Sequence, residues 1–134
     1  MLVSPARTLG VLLAATLVAC RNPLDEDPIA CTANVQPAVV VEIRDARDGR
    51  ALAANARGVV RDGAFVDSLR PYESSSGLAT DLFSRQAAGE RAGTYTVEVE
   101  HDGYQPWTIA GVRASRGVCH VETRRLAANL QPAT

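Results

Sequence analysis

The fold is decided by one stretch, Gly93-Thr94-Tyr95-Thr96-Val97-Glu98-Val99-Glu100, which has the clearest alternation of apolar and polar residues in the chain. Successive side chains of a β-strand point to opposite faces of the sheet, so Tyr95, Val97 and Val99 share one face. The threonines and glutamates between them share the other. The pattern predicts a central strand with one buried and one solvated face.

Weaker alternation on both sides of this stretch predicts further short strands. In 39–45, Val39, Val41 and Ile43 fall on one face, and Asp48-Gly49 supplies a tight turn after them. Other candidate strands are 56–61, 64–69 ended by Pro71, 107–112 and 117–126, whereas 78–83 fits a short strand or a turn of helix. Together they predict a small all-β fold, an antiparallel β-sandwich of about seven strands.

Four features follow one another in the chain: the turn Asp45-Ala46-Arg47-Asp48-Gly49-Arg50-Ala51-Leu52 after an apolar strand, Ala56 with Val59, the strand 93–99, and Asp102-Gly103-Tyr104. In order and spacing they resemble the motifs of the carboxypeptidase regulatory-like domains, which belong to the transthyretin-like β-sandwich class. The likeness runs from about Val39 to Leu130. It implies a non-catalytic accessory module that contacts other polypeptides or glycans and brings no catalytic residues. The chain departs from the pattern before Leu52, where the usual proline is missing, and in Tyr72–Ala92, which is longer and more polar than a minimal member needs.

At the N-terminus, Arg7 precedes an apolar run over 9–19, which ends in Leu17-Val18-Ala19 before Cys20. Leu17-Val18-Ala19-Cys20 is similar to a lipobox, and the whole segment resembles the export signal of a bacterial lipoprotein. The run is too short for a membrane-spanning helix, which needs about 20 apolar residues. The resemblance implies cleavage before Cys20 and lipidation of that cysteine, which would anchor the protein to a membrane. The residue after it, Arg21 and not Asp, indicates the outer membrane; the alternative is an ordinary secretion signal with a chance cysteine.

These signals divide the chain into four parts. Residues 1–19 are the expected lipoprotein signal peptide, and 20–36 the lipidated N-terminus and tether, in which two prolines and three acids favour an extended chain. Residues 37–130 are the expected β-sandwich domain and 131–134 a C-terminal tail.

The cysteine count predicts one disulfide once lipidation is assumed. Of three cysteines, the lipid takes Cys20 and leaves Cys31 and Cys119 to pair in an oxidising compartment. The alternative is a metal site that uses both thiolates with His120. Neighbouring residues of a strand point to opposite faces, which disfavours that site.

Net charge and the lack of lysine argue against two classes of function. The formal net charge is −1 and all 14 basic residues are arginines without a basic cluster, so a nucleic-acid partner is not expected. The lack of lysine excludes Schiff-base and P-loop lysine chemistry.

Two groups of side chains resemble metal ligands in type. Glu98, Glu100 and His101 follow one another closely, and His120 with Glu122 falls on one face of the strand expected at 117–126. A solvated sheet face shows the same residue types, so no metal ligand is predicted.

No pattern specifies a reaction. The serines of 74–76 precede Gly77 but form no nucleophile elbow, and paired carboxylates for glycoside hydrolysis have no recognisable spacing. Tyr72, Tyr104 and Trp107 are candidates for an aromatic platform for sugar rings or a peptide, with Tyr104 and Trp107 the candidate ligand contacts and core packing the alternative. An unpaired sheet edge would also accept a peptide strand.

The sequence therefore predicts a lipid-anchored module of the bacterial envelope that is not an enzyme and needs no cofactor. Its expected task is structural or protein–protein contact, with an envelope protein or a glycan as partner. The alternatives are a carbohydrate- or small-ligand-binding lipoprotein and, less favoured, a diverged metal-dependent hydrolase.

Overall fold

The computed structural model describes residues 29–73 and 80–134, and this part of the chain is all-β. It contains eight strands and one 3₁₀ turn, Ala53–Asn55. The strands are β1 (Pro37–Asp45), β2 (Arg57–Asp62), β3 (Phe65–Ser68), β4 (Arg70–Glu73), β5 (Thr80–Gly89), β6 (Gly93–Glu100), β7 (Trp107–Ala114) and β8 (Arg124–Leu130). Sheet A has the order β4-β5-β1-β8 and sheet B the order β3-β2-β6-β7, which gives the sandwich-like architecture of two sheets around one core.

The stretch 93–100 forms β6 as predicted. Tyr95, Val97 and Val99 are fully buried, and the residues between them are partly exposed. The Tyr95 hydroxyl donates a hydrogen bond to the carbonyl of Arg91, 2.5 Å away, so the buried ring keeps its polar atom paired. β6 lies between β2 and β7 inside sheet B.

β1 is the central strand of sheet A and differs from the prediction in its pairing. Val39, Val41 and Ile43 are buried as expected, but Val40 on the other face is also only 2% exposed. β1 pairs antiparallel with β5 and parallel with β8. The expectation of purely antiparallel sheets is therefore wrong for sheet A, because the last strand returns to the first one in the same direction.

Two predicted boundaries change between β3 and β5. Pro71 does not end the third strand, which already ends at Ser68; it lies in β4, an edge strand, where the missing N–H of proline is tolerated. Between them, buried Leu69 donates its N–H to the carbonyl of Gly58 at 2.9 Å while the chain crosses from sheet B to sheet A. The segment Tyr72–Ala92, expected to be an insertion, contains β5, which pairs with β1.

The last strand lies further along the chain than predicted. β8 begins at Arg124, and the residues before it form a tight loop in which Gly117 donates its N–H to the carbonyl of His120 at 2.8 Å. Ser115 and Glu122 are joined by a second 2.8 Å backbone bond. The expected strand 117–126 is wrong in its first seven residues because these bonds close the chain on itself.

The domain has two ends, which are named here for later use. The disulfide end holds Pro37, the β5–β6 turn and the loop 115–123, and there Cys31 and Cys119 form the predicted disulfide with a Cα–Cα distance of 5.3 Å. The aspartate end holds Asp45 and the turn after β6. The last residues of the chain reach that end too, because Ala133 donates its N–H to the carbonyl of Gly103 at 2.9 Å.

Candidate functional site

Among the acids of the described residues, Asp45 has the most strongly lowered pKa. It is the last residue of β1, on the same face as Ile43, and its side chain is fully buried. The carboxylate accepts hydrogen bonds from the Arg47 guanidinium at 3.0 Å and from the Arg47 N–H at 2.8 Å. The Tyr104 hydroxyl donates to it at 2.7 Å, and Arg50 reaches the same oxygen at 3.2 Å.

These partners keep the Asp45 carboxylate ionised inside the protein. The side-chain bond from Arg47, the bond from the Tyr104 hydroxyl and the Arg47 N–H hold the pKa of Asp45 well below its usual range, against the opposing effect of burial. Arg50 also donates to the Tyr104 hydroxyl at 2.9 Å. The cluster therefore fastens the turn after β1 to the turn after β6.

The two predicted ligand contacts occupy different environments at this end. The hydroxyl of Tyr104 is engaged with Asp45, and its ring meets the His101 ring edge-on with centroids 5.0 Å apart. Trp107 is half-buried, packs on the core and pairs with Val99. Ligand contact by Tyr104 and Trp107 stays a prediction.

Tyr72 does not extend an aromatic platform with these two rings. It lies on β4, an edge of sheet A, where its ring contacts the guanidinium of Arg125 at 5.6 Å. Trp107 belongs to β7, an edge of sheet B. β4 continues from β3, the opposite edge of sheet B from β7, so Tyr72 and Trp107 are on opposite sides of the domain.

The disulfide end carries a second polar cluster, around Glu90. Its carboxylate accepts a bond from the N–H of Gln36 at 2.7 Å and one from the N–H of Val121 at 3.2 Å. His120 Nδ1 lies 2.7 Å from the same carboxylate, and its Nε2 lies 2.9 Å from the Thr32 hydroxyl. The Gln36 N–H, followed by His120 and Val121, lowers the pKa of Glu90. Glu90 thus ties the N-terminal arm, 31–36, to the loop that holds Cys119.

The candidate metal ligands are dispersed. His120 and Glu122 are in the loop before β8 and not on one face of a strand, as had been expected. His101 Nδ1 is 2.8 Å from the carbonyl of Asp102. Across residues 29–73 and 80–134, no three His, Cys, Asp or Glu side chains come close enough together to hold a metal ion.

A groove with a volume of about 640 Å³ lies beside β2, lined by residues of both sheets and of the 3₁₀ turn, and was not predicted. We call it the arginine groove; its charged lining residues are Arg57, Arg61, Arg85, Glu98 and Glu100. Its apolar part is formed by Ala54, Ala56, Val59 and Leu69.

The charges of the arginine groove are only partly neutralised. Arg61 Nε is 3.5 Å from Glu98 Oε1, and Arg85 donates to the carbonyls of Ala53 and Ala54 at 2.7 and 2.8 Å. Gly58 allows the chain to pass closely here, since a Cβ on it would lie 2.3 Å from the carbonyl oxygen of Glu98. Charged hydrogen-bonding groups together with a few apolar side chains suit a polar ligand.

Some predicted features fall outside the described residues. They are the signal peptide, Cys20 with most of the tether, and the serines of 74–76. In the part of the chain that is described, no helix has the length and apolar character needed to cross a membrane.

Comparison with known proteins adds no relative: no protein-family model matches the chain, and no curated protein is significantly similar to it.

Proposed function

We propose that this chain is a lipid-anchored protein of the bacterial envelope whose domain makes structural or protein–protein contacts and performs no catalysis. In the finer assignment, the domain is a transthyretin-like β-sandwich of the carboxypeptidase regulatory-like kind. Two four-stranded sheets around one core are compatible with this assignment. The motifs that suggested it lie at the turn after β1, in β6 and at the turn after β6.

The observation that carries the proposal is the disulfide between Cys31 and Cys119. Such bonds persist in oxidising compartments outside the cytosol. Pairing these two leaves Cys20 as the remaining cysteine of the three, at the end of the apolar run 9–19. The cysteine usage thus agrees with an exported protein in which one thiol is available for a lipid.

The arm that leads into the domain determines where a lipid would be attached to it. Cys31 is fixed at the disulfide end. The eleven steps from Cys20 to Cys31 span at most about 40 Å when fully extended, so a lipid on Cys20 would tether the domain through its disulfide end within that distance.

The perturbed carboxylates support a non-catalytic role. Asp45 and Glu90 both have a lowered pKa, and each is held by hydrogen bonds that join separate segments of the domain. A general acid or base works best with a pKa near the operating pH. Both groups are instead shifted away from neutrality, which suits a structural function.

A carbohydrate- or small-ligand-binding lipoprotein is the second candidate, and the arginine groove favours it. The groove is large enough for a small polar ligand. Arg85 has its guanidinium fixed by two carbonyls and carries no acidic partner among the described residues. The replacement Arg85→Ala would weaken ligand binding at this groove, and direct calorimetric titration with candidate envelope glycans tests it.

The anchor is tested by replacing Cys20 with alanine in the full-length chain. We expect Cys20→Ala to abolish incorporation of labelled palmitate and to release the protein from the membrane fraction, because the thioether cannot form. The matched control is the double variant Cys31→Ala with Cys119→Ala, which keeps the lipobox and should still be labelled. Membrane retention of Cys20→Ala equal to that of the wild type would contradict the proposed lipid anchor.

A further inference from the structure

The four edges of the two sheets differ in how well they are protected against further strand pairing. An unpaired edge presents a row of N–H and C=O groups, and proteins block it with short strands, prolines, bulges or inward-pointing charges. β3 has four residues, and its Asp67 is opposite buried Val60 and binds the N–H of Ala88 at 2.8 Å. β4 also has four residues, contains Pro71 and pairs irregularly with β5.

The edge strand β7 is protected by a bulge. Its pairing with β6 shifts between Tyr95 and Val97, whose partners are Val112 and Ile109. Gly111 within this interval has φ of +73°, a value that suits glycine. Such a bulge interrupts the regular spacing of N–H and C=O groups that a further strand would need for pairing.

Within the described residues, β8 has no proline, bulge or short length that would block its edge, and its charged side chains, Arg124 and Arg125, are confined to its first two positions. It pairs with β1 in unbroken register over its whole length, Arg124 to Leu130, and contains no proline or glycine. The carbonyl of Leu130 points toward β1, since it accepts the N–H of Ala46 at 2.9 Å. Amides alternate in direction along a strand, so those of Arg125, Ala127 and Asn129 point outward from the sheet edge.

The charge around this edge is positive at one end. Arg124 is the first residue of β8, and Arg116 lies in the loop that leads to it. Both are exposed and form no ion pair with the described residues, and Glu122, between them in the chain, is also unpaired there. The other end of the edge, at Asn129, is uncharged.

We propose that the free edge of β8 binds an extended, acidic segment of another polypeptide, which adds a strand to sheet A with its acidic residues against Arg116 and Arg124. Backbone hydrogen bonds to the outward amides give affinity in this mode of recognition, and side chains give selectivity. The inference rests on the interaction role proposed above, and it names the partner's chemistry. It does not depend on the anchor.

The test uses the full-length chain, purified in mild detergent, and two fluorescent heptapeptides. One alternates valine with glutamate and the other alternates valine with lysine. We expect the glutamate peptide to bind at least tenfold more tightly by fluorescence anisotropy, and its affinity to fall as salt is raised, because exposed charges are screened. Equal affinities for both peptides would refute the proposal.

Two kinds of variant locate the binding. Ala127→Pro removes one outward N–H and leaves the bonds between β8 and β1 in place, so we expect at least a tenfold loss of affinity for the glutamate peptide. If this variant fails to fold, Arg124→Glu tests the same site and should remove the preference for glutamate over lysine. Arg70→Glu, an equal charge reversal on β4 at the opposite edge of sheet A, is the matched control and should bind like the wild type.

The same variants exclude other occupants of the edge. A dimer of the wild type that Ala127→Pro converts to a monomer would assign β8 to a second copy of this chain and overturn the proposal. Binding to phosphatidylglycerol vesicles that survives Ala127→Pro, without peptide binding, would assign the arginines to a membrane surface and overturn it too. Absence of palmitate labelling in the wild-type chain would refute the anchor alone, because peptide binding does not require it.

Discussion

At the residue scale, Asp45 shows how the alternation of side chains along a strand can direct a polar group into the core. Val39, Val41 and Ile43 point into the core, and Asp45 is the next residue on that face, so the period of two also directs its carboxylate inward. A buried carboxylate is costly unless it is paired and hydrogen-bonded. The residues that satisfy it, Arg47 and Tyr104, come from the turns at the same end of the domain.

The lowered pKa of Asp45 leads to a prediction about acid stability. Because the folded pKa lies below the unfolded value of about 3.9, the stabilisation is present above that pH and is lost as the pH falls below it. Asp45→Asn cannot titrate here, so we expect its free energy of unfolding to be lower than that of the wild type near neutral pH, with the difference shrinking below about pH 4.

The measurement is urea unfolding of the wild type and Asp45→Asn at a series of pH values from 7 downward. Asp48→Asn is the matched control, since Asp48 is exposed and bonds only the N–H of Arg50, at 2.9 Å. The control should follow the wild type at every pH. A difference between wild type and Asp45→Asn that stays constant with pH would show that the charge of Asp45 is not what the folded state stabilises.

At the scale of elements, the sequence predicted strands where the local pattern was strong and failed where pairing partners decide. β6 and the inner face of β1 follow from alternation alone. β5 does not, because Ser84-Arg85-Gln86-Ala87-Ala88 has little preference for strands, and its conformation depends on pairing with β1. The parallel pairing of β1 with β8 joins distant segments and leaves no local signal.

The candidate sites were predicted less well than the strands, for a related reason. Arg57 and Glu98 belong to separate strands that the register of β2 with β6 brings together, so the arginine groove has no motif in the sequence. The 117–126 segment was predicted as a strand, but the backbone bond from Gly117 to His120 and the disulfide at Cys119 make its first part a loop. The burial of Asp45 could have been predicted from the alternation along β1, whereas the cluster around Glu90 could not have been predicted from the sequence.

The difference between central and edge strands predicts the effect of shortening one side chain. Ile43 in β1 is fully buried, and we expect Ile43→Ala to lower the free energy of unfolding by about 2 to 5 kcal/mol through lost burial and a cavity. Ile109 in edge strand β7 is 37% exposed, so the identical change there should cost less than about 1 kcal/mol. Denaturant titration of both variants measures this, and equal losses would contradict the assignment of β1 to the core.

At the scale of the whole molecule, the disulfide and the Glu90 cluster act on the same segment. Cys31 is joined to Cys119, and Glu90 binds Gln36 while His120 contacts Thr32. The arm 31–36 is therefore fastened to the domain at several points before β1 begins. Any force transmitted from a lipid on Cys20 would reach the disulfide end first and not the hydrogen bonds of the sheets.

We expect the disulfide to contribute a large share of the free energy of unfolding of the domain. Cys31 and Cys119 are 88 residues apart, and closing a loop of that length restricts the unfolded chain by about 4 to 5 kcal/mol on the loop-entropy model. Since a domain of this size is stable by only about 5 to 15 kcal/mol, we expect reduction to lower the melting temperature markedly.

Scanning calorimetry with and without reductant should be done on Cys20→Ala, which leaves only the two paired cysteines. The double variant Cys31→Ala with Cys119→Ala in that background is the control, and its melting temperature should not respond to reductant. Two thiols that react in the folded Cys20→Ala protein before any reductant is added would show that the bond is not formed.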